Sequence, residues 1–199
     1  MIKIKMCGLR RDTDIEHANI LLPDYIGYVF AGKSRRYITP QKASELTAKL
    51  DRRIIPVGVF VDSPVSDVIS LAESGIIKIA QLHGNENEEY ISRLHKKNIT
   101  VIKAFIIKSG HDIELANSSY ADYVLLDAGM GEGKAFDYEL LTNISRPYFL
   151  AGGLSPENIT EAIKLNPYAV DVSSGIETDG FKDFDKMKKF TDSIRLNIK

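Results

Sequence analysis

The chain carries one cysteine, in the run Lys3-Ile4-Lys5-Met6-Cys7-Gly8-Leu9-Arg10. An ionised thiol is a good nucleophile and can serve as a base, so its placement matters. Alternation puts Ile2, Ile4 and Met6 on one face of a strand and Lys3, Lys5 and Cys7 on the other. An apolar face backed by lysines and a thiol suits a strand whose second face looks into a polar chamber. Gly8 would end that strand and leave Cys7 at its tip, placed to act as a base. A lone cysteine is more often an inert packed residue, and composition alone leaves that alternative open. The second candidate is Asp127, which ends the run Tyr123-Val124-Leu125-Leu126. A carboxyl at a buried strand tip needs a partner, or a raised pKa that makes it a proton donor. A turn or helix-cap aspartate is the plainer alternative.

Two further stretches suit an anion. Gly152-Gly153-Leu154-Ser155-Pro156-Glu157-Asn158 sets two bare backbone positions before a helix start, and Ser173-Ser174-Gly175 adds hydroxyl and amide donors. Together they predict a phosphate site, against the alternative of simple tight turns. Arg36, in Gly32-Lys33-Ser34-Arg35-Arg36, could hold a carboxylate with its planar fork if it sits at the same chamber. His83, in Gln81-Leu82-His83-Gly84, stands at a strand tip within reach of substrate, whereas His17, His95 and His111 fall on helices or surface loops. No spacing of His, Cys, Asp or Glu resembles a metal site, and no dinucleotide fingerprint follows the first strand, so neither metal nor cofactor is expected.

The elements that must position these residues follow from alternation of short apolar runs with amphipathic stretches. Strands are expected at 2–7, 25–30, 55–61, 77–82, 100–105, 123–127, 148–151 and 169–173. Helices are expected at 12–22, 40–50, 64–74, 86–97, 112–118, 138–143, 156–164 and 184–197. Thr39-Pro40, Ser63-Pro64 and Ser155-Pro156 each read as a cap followed by proline at the first helical position. Strict strand–helix alternation implies a parallel sheet with helical crossovers. Eight strands favour closure as a (β/α)8 TIM barrel, expected as one domain over residues 1–199. A doubly wound open sheet is the alternative. In the barrel, active sites form at the C-terminal strand ends, where Cys7, Arg36, His83, Asp127, Gly152, Gly153, Ser174 and Gly175 cluster.

Composition narrows the partners. Charged residues make up 27% and the net charge is −1, so nothing points to nucleic acid. No apolar run is long enough to span a bilayer and no secretory leader pattern is seen, so no membrane role is expected. One cysteine cannot form an internal disulfide, which fits a reducing cytoplasm. A barrel of this size is compatible with a monomer or a homodimer.

Lys5-Met6-Cys7-Gly8-Leu9, Gln81-Leu82-His83-Gly84, Leu125-Leu126-Asp127, Ala151-Gly152-Gly153-Leu154-Ser155-Pro156-Glu157-Asn158 and Asp171-Val172-Ser173-Ser174-Gly175-Ile176-Glu177 together resemble phosphoribosylanthranilate isomerase. The likeness spans nearly the whole chain. It departs after the sixth strand, where Gly129-Met130-Gly131-Glu132-Gly133-Lys134 stands in a segment that the family usually writes differently. The resemblance implies a cofactor-free Amadori rearrangement of a phosphosugar–anthranilate substrate in tryptophan biosynthesis. It implies Cys7 as general base, Asp127 as general acid and Arg36 as the contact for the anthranilate carboxylate. The loops at Gly152-Gly153 and Ser174-Gly175 would hold the phosphate.

Two supporting roles follow. A free thiol, with a pKa of ~8.5, needs a nearby cation to ionise at neutral pH, and Lys5 shares its face. A lysine inside a barrel needs a partner in turn. In a closed barrel strand eight lies beside strand one, so a Lys5–Asp171 pair is expected. The competing functions are the related histidine-pathway isomerase and a non-catalytic barrel that binds a phosphate ligand.

Overall fold

Eight parallel strands close in sequence order into a barrel in the computed structural model, which describes residues 1–127 and 138–196. They are β1 (Lys3–Cys7), β2 (Tyr25–Val29), β3 (Ile55–Phe60), β4 (Ile79–Leu82), β5 (Thr100–Ile106), β6 (Tyr123–Asp127), β7 (Tyr148–Ala151) and β8 (Ala169–Val172). Closure is made by β1 and β8, whose register runs from Lys3 opposite Ala169 to Met6 opposite Val172. The expected (β/α)8 architecture is therefore the one that forms. Helices α1 (Asp12–Leu21), α2 (Pro40–Thr47), α3 (Val65–Glu73), α4 (Glu88–His95), α5 (Gly110–Ser118), α6 (Ile159–Ala162) and α7 (Phe184–Leu196) follow the strands, with a 3-10 turn at Tyr138–Asn143. The glycine-rich segment 129–134 and residue 197 of the last expected helix lie outside the described residues.

Strand alternation sorts the side chains into two cores. Ile4, Met6, Ile26, Tyr28, Val124, Leu126 and Val170 point outward against Ile15, Leu46, Leu94 and Phe190 of the helices. Tyr25, Val57, Ile79, Ile102, Leu125 and Phe149 fill the barrel. At the strands' N-terminal ends aromatic rings close the floor: Tyr123 stacks on Tyr168 at 5.0 Å, and the Tyr25 and Tyr168 hydroxyls lie 3.0 Å apart. β1 divides as expected, with Ile4 and Met6 outward in the main core and Cys7 beside Val29 and Val59 in a small cluster of its own.

Several boundaries differ from expectation. Thr39 does cap α2, its hydroxyl accepting from the Lys42 amide at 3.2 Å. Ser63 does not cap α3; Pro64 itself is the cap residue, with ψ 132, and the helix begins at Val65. Pro156 does not open α6. The Ser155 amide donates to Asn158 Oδ1 at 2.8 Å, and Asn158 Nδ2 donates to the Gly153 carbonyl at 2.9 Å. That local ring of bonds delays the helix to Ile159. Glu86 stays out of α4 because its carboxylate accepts from the Asp62 and Gly84 amides and from Lys103 Nζ. Past β8 an unexpected hairpin forms, Glu177–Thr178 pairing with Phe181–Lys182. Its turn residues Asp179 and Gly180 both have positive φ, 52° and 78°, the geometry an Asp-Gly pair favours. No helix among the described residues is long and apolar enough to cross a membrane.

Candidate active site

A cavity of about 400 Å³ opens at the C-terminal ends of the strands. Cys7, Arg36, His83, Asp127, Gly152, Gly153, Asp171 and Ser174 all line it, so residues from β1, β2, β4, β6, β7 and β8 converge as expected. Gly175 does not line it, and Lys5 lies one layer beneath Cys7.

Cys7 is 8% exposed. Room for its thiol comes from Gly27 on β2, where a Cβ would stand 2.7 Å from Sγ. Below it Lys5, wholly buried, reaches Asp171 with Nζ to Oδ1 at 2.9 Å, which is the expected interior pair. Burial works against the Lys5 charge, but the facing Asp171 and Cys7 outweigh it and hold the ammonium above its ordinary value. Burial pushes the Cys7 thiol up. Lys5 pulls it down, Asp171 pushes it up again, and Lys182 opposes more weakly. The expected help from Lys5 is thus real in direction but is outweighed, first by burial of the thiol and then by the opposing charge of Asp171. The Cys7 carbonyl is held by Ser173 Oγ at 3.0 Å, and the Ser173 carbonyl by Lys182 Nζ at 2.9 Å.

Across the mouth, the Asp127 side chain is 30% exposed and its Oδ2 lies 3.9 Å from His83 Nε2. That is too long for a hydrogen bond. Burial lowers the His83 pKa, with Asp127 opposing, so the imidazole is neutral at pH 7. The Gln81 side-chain amide lies 3.2 Å from His83 Nδ1 and so orients the ring with Nε2 on the side of Asp127. Gln81 Oε1 is buried at the cavity wall with no partner among the described residues. Lys103 Nζ ties down the Gly84 carbonyl at 2.7 Å and so fixes the loop that carries His83.

On the β7–β8 side, Gly152 and Gly153 take φ of 98° and 64°, a backbone that side chains resist. Both residues line the cavity. The late start of α6, which is only four residues long, removes the helix N-terminus from the expected anion site. What remains is loop backbone with Ser174. Gly175 has a spacing role: a Cβ there would collide with the Leu154 carbonyl oxygen, so its absence lets the two loops touch.

Arg36 crosses the mouth over Gly8, where a Cβ would meet its Cδ. Its fork is not wholly open to substrate. Nε and Nη2 donate to Glu177 Oε1 and Oε2 at 2.7 and 2.8 Å. Glu177 also accepts from Lys182 Nζ at 2.8 Å and Arg35 Nη2 at 3.2 Å. Burial disfavours the Glu177 charge, yet the bonds to Arg36 and Lys182 prevail and hold its carboxyl at about 2.

Gln81, Glu177 and Lys182 are thus site components that sequence reasoning missed. Gln81 and Glu177 lay inside quoted motifs, and Asp179-Gly180 was a legible turn that folds Lys182 back. His95 and His111 pair instead with Asp122 and Glu114, and His17 packs on Phe184.

Known proteins resemble the chain over nearly its whole length. The family model for N-(5'phosphoribosyl)anthranilate (PRA) isomerase matches residues 4–193. An N-(5'-phosphoribosyl)anthranilate isomerase of Thermoanaerobacter sp. (strain X514) is 46% identical, with 98% of each chain covered. The crystal structure of phosphoribosyl anthranilate isomerase from Thermotoga maritima superposes with a TM-score of 0.89 at 34% identity, covering 98% of this chain and 99% of that one. A phosphoribosyl anthranilate isomerase in complex with reduced 1-(o-carboxyphenylamino)-1-deoxyribulose 5-phosphate gives 0.87 at 33% identity, with 98% and 99% covered. Full-length identity of this order, on the same closed barrel, places the chain in the N-(5'-phosphoribosyl)anthranilate isomerase family.

Proposed function

We propose that the chain converts N-(5'-phosphoribosyl)anthranilate to 1-(2-carboxyphenylamino)-1-deoxyribulose 5-phosphate, a step of tryptophan biosynthesis, with Cys7 as general base and Asp127 as general acid. The observation that carries this is one cavity holding a thiol and a carboxyl from β1 and β6, with bare glycine backbone and a guanidinium at its rim. Asp127 protonates the furanose ring oxygen as the C1–O bond breaks, and the nitrogen lone pair forms a protonated Schiff base. Cys7 as thiolate removes the C2 proton, and the electron pair moves to C1–C2 and neutralises the nitrogen. The enolamine tautomerises to the ketone, one proton leaving the C2 hydroxyl as another is added at C1.

A buried thiol held above its ordinary pKa suits this order of events. The Schiff-base cation formed beside it favours the thiolate, so the base is generated when it is needed. Arg36 contacts the anthranilate carboxylate, and Gly152, Gly153 and Ser174 hold the phosphate, with Gly175 letting the two loops approach. His83 orders the substrate beside Asp127. The single free cysteine suits a cytoplasmic enzyme. The histidine-pathway alternative, whose family uses two aspartates, is disfavoured by the cysteine that ends β1 and by the family match.

Loss of anthranilate-adduct fluorescence on incubation with purified protein tests the activity. Cys7→Ser and Asp127→Asn are each expected to lower kcat by ~10²–10⁴-fold. Either variant turning over as fast as the parent sinks that residue's assignment, and no consumption by the parent leaves the non-catalytic barrel.

A further inference from the structure

Three cations, Arg35, Arg36 and Lys182, converge on the single carboxylate of Glu177, whose side chain is 4% exposed. The cluster therefore keeps two positive charges in excess beside the cavity. Arg35 is 64% exposed and its charge is met by solvent, so the cation that matters to the cavity is Arg36. Glu177 takes the Nε–Nη2 edge of the guanidinium in a two-bond grip, while Nη1 makes no hydrogen bond among the described residues and the side chain lines the cavity. A guanidinium has a second donor edge, Nη1 with the other Nη2 proton, matched to a carboxylate.

We propose that Glu177 is a positioning residue that aims the free edge of Arg36 at the carboxylate of the substrate's aromatic ring, and so sets preference for a carboxylated ring. This rests on reading Arg36 as the contact for that carboxylate. Glu177 is itself set in place by the hairpin: Lys182 faces it across the pair, and Arg11 Nη2 donates to the Lys182 carbonyl at 2.9 Å. An arginine on a loop loses several rotors when it binds, and a grip made in advance removes part of that cost.

The test is affinity for two stable ligands, followed by fluorescence titration. One is the reduced product analogue with its ring carboxylate, and the other is the same molecule with a plain phenyl ring. Glu177→Gln is expected to weaken the carboxylated ligand at least ~10-fold and to leave the phenyl ligand within about twofold. In an Arg36→Met background, Glu177→Gln should add nothing further. Equal weakening of both ligands, or of neither, while Arg36→Met still discriminates between them, overturns the proposal and leaves the Arg36 contact standing. If Arg36→Met weakens both ligands alike, the Arg36 contact fails, and the proposal with it. Should Glu177→Gln not fold, Glu177→Asp keeps the charge but withdraws the grip, and it is titrated against the same pair with the same outcomes.

Discussion

The Lys5–Asp171 pair gives the sharpest quantitative expectation. Nζ and Oδ1 are 2.9 Å apart, with side-chain exposures of 0% and 9%. Removing one member strands the other away from water, which costs about 3–5 kcal/mol in comparable sites. Asp171→Asn leaves a cation that has no water and is expected to lie at the upper end. Lys5→Met leaves a carboxyl that can pick up a proton, so it lies at the lower end. For a chain of this length the loss corresponds to a drop in Tm of roughly 6–20 °C. The double variant strands no charge and is expected to be more stable than Asp171→Asn alone. Urea unfolding of all four proteins closes the cycle. Single losses below about 1 kcal/mol, or losses that simply add in the double variant, would refute the coupling. The same variants report on the thiol. With Asp171 neutral, Lys5 acts on Cys7 without that opposing charge, so the thiol ionisation read from the pH profile of kcat/KM moves to lower pH. With Lys5 gone it moves to higher pH. Shifts of the opposite sign would sink this account of how the thiol is tuned.

Two other perturbations follow from the geometry. Gly27→Ala places a methyl 2.7 Å from Cys7 Sγ and 3.1 Å from its Cα, so the thiol must move. A kcat lower on the order of 10²-fold is expected, with a stability loss of about 1–3 kcal/mol, and an unchanged kcat measured on folded protein contradicts it. Glu177 sits at about 2 against an ordinary 4.5, so its ionised form stabilises the fold above pH 4.5 and that contribution disappears as pH falls from there toward 2. It amounts to roughly 2–3 kcal/mol. The stability gap between the parent and Glu177→Gln, followed by urea unfolding, should narrow below about pH 4.5; a gap constant with pH is the contrary result.

Much of the barrel was legible because strand alternation and crossover length are local properties. Ile4, Lys5, Met6 and Cys7 sort to opposite faces by the pleat alone, and closure of eight such units then forces β1 beside β8. Helix starts were harder to read. Ser155-Pro156 has the right residues for a cap, yet Asn158 competes for the same backbone donors and wins, so α6 begins three residues after Pro156.

The sequence by itself determined the closed barrel, the tips to which Cys7 and Asp127 belong, and the interior partner of Lys5. Periodicity decides which face a residue takes, and topology decides its neighbours. The balance of charges had to wait for the tertiary structure. Whether Lys5 activates Cys7 depends on how deeply the thiol is buried and on the opposing charge of Asp171, and whether Arg36 stands free depends on a hairpin that returns Glu177 and Lys182 to the barrel mouth. Coulomb interactions fall off slowly and act between residues far apart in the chain, so no local pattern encodes their sum.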